Sequence, residues 1–81
     1  MQNLSLKDFL TETDIQQCMG LFSAQDICAQ VITPNIDRIN ATLGQKNDPM
    51  VLAYAVLYAK THSKIGEVPI WYALTHARNH M

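Results

Sequence analysis

The chain has 81 residues, of which 48% are hydrophobic and only 16% charged, with a formal net charge of −1. That length fits one domain, and the composition is the reverse of a disordered tail, which is charge-rich and poor in apolar side chains. The near-zero net charge removes the strongly basic footprint by which nucleic-acid binders neutralise phosphates.

The remaining charge is unevenly placed. Residues 1–40 hold five acids (Asp8, Glu12, Asp14, Asp26, Asp37) against two bases (Lys7, Arg38), whereas residues 41–81 hold four bases (Lys46, Lys60, Lys64, Arg78) against two acids (Asp48, Glu67). All three histidines, His62, His76 and His80, lie in the second half. Such polarity favours a charged partner or head-to-tail self-association. The N-terminus lacks the basic start and apolar run of a signal peptide. The longest apolar run, Met50 to Ala59, is far short of the roughly 18–20 residues that a membrane span needs. A cytoplasmic protein without a membrane segment is expected, with Cys18 and Cys28 as reduced, inward-facing thiols.

Taken in chain order, the residues read as a string of capped helices. Ser5-Leu6-Lys7-Asp8 is a helix-start signal, a hydroxyl followed three residues on by a carboxylate, and Thr13-Asp14-Ile15-Gln16 is a capping box of the same design. Leu6, Phe9 and Leu10, then Ile15, Cys18, Met19 and Phe22, recur at three- and four-residue steps that predict one buried face on each piece. Ser23-Ala24-Gln25-Asp26 opens the next helix, whose stripe is Ile27, Cys28, Val31 and Ile32. Pro34 then predicts a break, because proline lacks an N–H and clashes with the preceding turn. Thr33 as a new N-cap with Pro34 in the first turn accommodates it. Ile36, Ile39 and Leu43 face inward on the following helix, and Gly44 supplies its left-handed end.

Asn47-Asp48-Pro49 is the sharpest boundary, a capping side chain before a first-turn proline. The helix behind it, Met50 to about Ser63, is apolar on every side through Ala59, as expected of a helix central to its domain or half covered by another subunit. Gly66 ends it. Pro69 opens the last helix, with Ile70, Leu74, Ala77 and Met81 on one stripe, Trp71 and Ala73 at its edges, and Tyr72, Thr75, His76 and Asn79 opposite. No segment alternates with period two over a strand's length. The expectation is an all-α, compact bundle of about five short helices forming one domain over residues 1–81.

Catalytic signatures are absent. Asp8, Asp14, Asp26 and Asp48 occupy first turns or caps, where the helix dipole favours negative charge, which leaves few carboxylates for acid–base work. No serine lies in a G-x-S-x-G setting and no glycine-rich loop precedes a helix. His76 and His80 are four apart, a spacing that suits one metal ion. With no glutamate between them and His62 the only other histidine, no metal site and no cofactor is assigned. A non-catalytic protein-binding module is the leading expectation: a small regulator, adaptor or inhibitor, with a homodimer also compatible. Its partner-binding residues are Tyr54, Tyr58, Trp71, Tyr72 and His76, because tyrosine and tryptophan pair an apolar body with a polar tip and are enriched in binding hot spots. The alternative is a helix-turn-helix DNA binder around Pro34, with Asn35, Arg38 and Asn40 offered to base edges. Against it stand a turn without glycine and the acids Asp26 and Asp37 beside Arg38, which make nucleic acid the less favoured partner.

Overall fold

A computed structural model describes residues 4–62 and 67–80. A 3-10 turn, Leu6–Asp8, precedes five α-helical segments: α1 (Glu12–Gly20), α2 (Ala24–Ile27), α3 (Thr33–Leu43), α4 (Pro49–His62) and α5 (Ile70–His80). A π-helical stretch, Cys28–Ile32, joins α2 to α3. Among the described residues the sole β feature is an isolated antiparallel bridge between Ser5 and Pro69. The protein is all-α, as its apolar periodicity requires.

The first departure from expectation is at the N-terminus. Ser5 and Asp8 form their capping box, but around a single 3-10 turn. A second box then captures the chain two residues earlier than the Thr13–Gln16 pair. The Thr11 amide donates to Asp14 Oδ2 and the Asp14 amide to Thr11 Oγ1, both at 3.1 Å. A carboxylate at the third helical position is a stronger acceptor than a glutamine amide, so Thr11 is the cap and Thr13 is already helical. Leu6, Phe9 and Leu10 are buried around this short turn rather than along an α-helix, next to the Ile70 amide, which donates to the Leu4 carbonyl at 2.6 Å.

α1 also buries fewer of its apolar side chains than their spacing predicts. Cys18 is fully buried and Ile15 packs on the core, but Met19 is 55% and Phe22 91% exposed, contrary to the expected stripe. The helix ends at Gly20 and Leu21 is extended (φ −96°, ψ 148°). The 3.6-residue period therefore stops before Phe22, and Leu21 turns inward in its place.

Pro34 provides the second correction. Ser23 caps α2 through its hydroxyl, which accepts from the Asp26 amide at 3.1 Å, but no break follows. Thr33 has helical dihedrals (φ −58°, ψ −45°) and is not a cap. The chain widens into a π turn ahead of the proline and continues, one recognised way of absorbing a missing N–H. Asn35 Nδ2 donates to the Val31 carbonyl at 2.7 Å, supplying a side-chain bond in the disturbed ladder. The result is a continuous helical rod that buries Ile27, Val31, Ile32 and Ile39. It ends, as expected, at Gly44 (φ 75°, ψ 15°), whose amide donates to the Asn40 carbonyl.

Asp48 caps α4 by accepting from the Met50 amide at 2.8 Å. Val51, Leu52, Ala53, Ala55, Val56 and Ala59 are all buried, so the helix that is apolar on every side is the centre of the packing. It lies against α5, α2 and the π stretch, and its alanines permit close approach. On α5, Ile70, Ala73, Leu74 and Ala77 face inward. The expected end of α4 at Gly66 and the place of Met81 lie outside the described residues. At the far end of the α4–α5 pair, buried Asn47 accepts from Arg78 at 3.2 Å and donates twice to Asn40 Oδ1, tying the interhelix loop to both neighbours. Among the described residues no helix is long and apolar enough to cross a membrane.

Candidate binding surface

The antiparallel packing of α4 and α5 brings together rings that are far apart in sequence. Tyr58 lies one turn before His62 on α4, and the two rings stack with centroids 4.0 Å apart and planes 25° apart. From α5, His76 approaches the same tyrosine at 4.0 Å and Tyr72 at 5.8 Å. The row continues along α5 in both directions, to Trp71 at 6.4 Å from Tyr72 and to His80 at 4.7 Å from His76. Six aromatic or imidazole rings thus form one contiguous surface over two helices. Such ring pairs favour the offset and edge-to-face geometries seen here.

Four of the five residues singled out from sequence belong to this row: Tyr58, Trp71, Tyr72 and His76. Trp71 (47%) and Tyr72 (51%) are half exposed and line, with Thr75, His76 and Asn79, a shallow open concavity of about 400 Å³. Tyr58 and His76 are half-buried. Tyr54 is exposed one turn before Tyr58 on α4, yet joins none of these ring contacts among the described residues.

His62 and His80 are the members that the sequence reading left out. The signal was present, since each lies four residues after another member of the row, but the approach of His62 to His76, with centroids 6.0 Å apart, depends on how α5 folds back. His62 Nδ1 is 3.0 Å from the Tyr58 carbonyl, which fixes its ring against the helix. Among the described residues no set of three histidine, cysteine, aspartate or glutamate side chains is arranged to hold a metal ion.

The electrostatics of the row follow from its composition. Desolvation, and then the nearby His80 and His62, hold the His76 imidazole below its ordinary pKa. The Tyr72 phenol, and then partial desolvation, push the Tyr58 hydroxyl above its own. Both effects disfavour charge at neutral pH.

No family model, no curated protein and no solved structure matches this chain. Its function has to be read from the surface itself.

The helix-turn-helix reading loses its geometry. The turn expected at Thr33–Pro34 is continuous helix, and the three proposed base-reading side chains are engaged within the chain. Asn35 bonds the Val31 carbonyl, Arg38 pairs with Asp14 at 2.8 Å and with Asn35 at 3.2 Å, and Asn40 receives Asn47.

A second exposed apolar spot was not foreseen. Phe22 projects from the α1–α2 connection beside Met19 in sequence, with Lys60 Nζ 5.7 Å from its ring centroid. The same ammonium donates to the Leu21 carbonyl at 2.8 Å, so the cation is anchored where it covers the ring. Of the cysteines, Cys18 is buried and its thiol is pushed up to about 11, by burial first and by the Asp14 charge second. Cys28 packs against the core as expected of an inward face but is only half-buried, with Sγ 3.5 Å from Thr33 Oγ1.

Proposed function

We propose that this protein is a non-catalytic helical module that binds a protein partner through the α4–α5 surface, acting in the cytoplasm as a small regulator, adaptor or inhibitor. The observation that carries this reading is the adjacency of half-exposed Trp71 and Tyr72 on a helix whose opposite side is core. Folding alone does not require two large aromatic side chains at these positions, and both types are enriched among the residues that anchor interfaces. Tyr72 lies against Tyr58, which packs on His76, and Trp71 lies edge-on to Tyr72, so the anchors belong to a row of packed rings, and preorganised side chains lose less entropy on binding.

The test is affinity capture from native lysate with the double variant Trp71→Ala/Tyr72→Ala beside the unaltered chain. Loss of a stoichiometric protein partner, with the far-ultraviolet circular dichroism unchanged, supports the reading. Retention of the same partner by the variant overturns it. A partner recovered only as this chain itself identifies the surface as a homodimer interface.

A further inference from the structure

The α4–α5 surface has a charge property that its aromatic character hides. Neither α4 nor α5 contains an aspartate or a glutamate, whereas together they carry Lys60, Arg78 and the three histidines. The histidines are contiguous through His76, whose ring lies between those of His62 and His80. The groups facing His76 are Tyr58 and His62 from α4 and Tyr72 and His80 from its own helix. Lys60 is turned to the Leu21 carbonyl and Arg78 to Asn47, and Glu67 is exposed ahead of α5. Among the described residues the one ion pair is Asp14–Arg38, on the other side of the chain's charge division, so no carboxylate offsets the imidazoles from within.

Charge on His80 or His62 raises the cost of protonating His76, which lies against both, and among the described residues no ion pair offsets that charge. A carboxylate brought from outside reverses that balance and is repaid by every proton the cluster then takes up. The same surface offers aromatic edges on which an acidic segment's apolar side chains pack. A cluster of imidazoles that can take up protons, next to exposed aromatic side chains, is the complement of an acidic, aromatic-bearing peptide.

We infer that the partner segment docking on the α4–α5 surface is acidic, and that His62, His76 and His80 bind its carboxylates in their protonated form. The inference rests on the protein-binding reading of the same surface and adds the partner's chemistry. It predicts a proton-linked association, stronger in mildly acidic solution than in alkaline solution, with protons taken up as the complex forms.

The probe is a fluorescein-labelled random copolymer of glutamate and tyrosine, followed by anisotropy with the full chain at about pH 5.5 and about pH 8, on either side of the ordinary imidazole range. The expected result is roughly tenfold tighter binding at the lower pH, with the difference lost in His62→Gln/His76→Gln/His80→Gln. The variant's circular dichroism is read in parallel. If the triple variant unfolds, the single changes His76→Gln and His80→Gln replace it, and each is expected to remove part of the pH effect. Equal binding at the two pH values, or a pH effect that the glutamine variants retain, overturns the inference. So does equal affinity for a lysine–tyrosine copolymer. A tighter complex with oligothymidylate than with the acidic copolymer overturns it in favour of a nucleic-acid partner. Binding that ignores pH but is lost in Trp71→Ala/Tyr72→Ala removes the imidazole role while leaving the aromatic docking surface standing. Absence of binding under all conditions overturns the acidic-partner inference, while the lysate capture still judges the surface.

Discussion

Arg38 reaches across 24 residues of sequence to place Nη2 2.8 Å from Asp14 Oδ2, the same oxygen that accepts the Thr11 amide at the start of α1. One carboxylate therefore closes a capping box and pins α1 to α3. The ion pair is partly exposed and is worth about 0–1 kcal/mol, whereas the box satisfies helix-end donors and is worth about 1 kcal/mol more. Arg38→Ala should cost little in urea unfolding and Asp14→Ala clearly more. Equal losses would show that the cap contributes nothing.

Leu52 and Trp71 separate core from surface. Leu52 is fully buried in the centre of α4, and its truncation to alanine should cost about 2–5 kcal/mol through lost transfer energy and a cavity. For a chain whose total stability is on the order of 4–12 kcal/mol, that is a large fraction. Trp71→Ala should cost less than about 1 kcal/mol, because nearly half of the side chain already meets water. Denaturant midpoints for the two variants check the contrast. A large loss at Trp71 would make it a core residue and remove the main anchor of the proposed interface.

The two cysteines should differ in reactivity. Alkylation by iodoacetamide requires a thiolate and access, and Cys18 lacks both, with its thiol pushed up to about 11 by burial. Cys28 is half-buried next to Thr33. Mass spectrometry of the native protein at mildly alkaline pH should show a single adduct, located at Cys28, and a second only after denaturation. Labelling of Cys18 at the same rate as Cys28 would contradict the packing of α1.

His76 should make stability fall in mild acid. His76 has its pKa lowered in the folded state, so the unfolded chain binds more protons over the interval below the ordinary imidazole value. Stability therefore declines as pH drops through that interval, and the decline levels off once pH is below the folded value. In urea titrations His76→Gln should flatten this part of the profile. An unchanged profile in the variant would place the pH response elsewhere.

Much of the fold was legible from local chemistry. The cap at Ser23, the left-handed Gly44, the Asp48-Pro49 start of α4 and the inward stripes of α3 and α5 act within a few residues of themselves, so spacing reveals them. The failures have a common cause in competition between local options. Thr11 and Thr13 both offer a cap, and the carboxylate of Asp14 decides for Thr11. Pro34 permits either a break or a widened turn. The burial of Ile27, Val31, Ile32 and Ile39 along one rod favours the widened turn. The exposure of Phe22 follows from where α1 ends, a matter of one or two residues.

The sequence by itself determined the helical class and the all-round apolar character of α4, because both follow from apolar spacing along the chain, whereas the central place of α4 and the half exposure of Trp71 and Tyr72 were settled only by packing. Only the tertiary structure decided that Tyr58, His62, Tyr72, His76 and His80 share a surface, and that Asn35, Arg38 and Asn40 are occupied within the chain. Those facts depend on how α5 folds back on α4 and how α3 meets α1. Helix pairing is set by the total apolar area that the core removes from water, a quantity that no single stretch of residues contains.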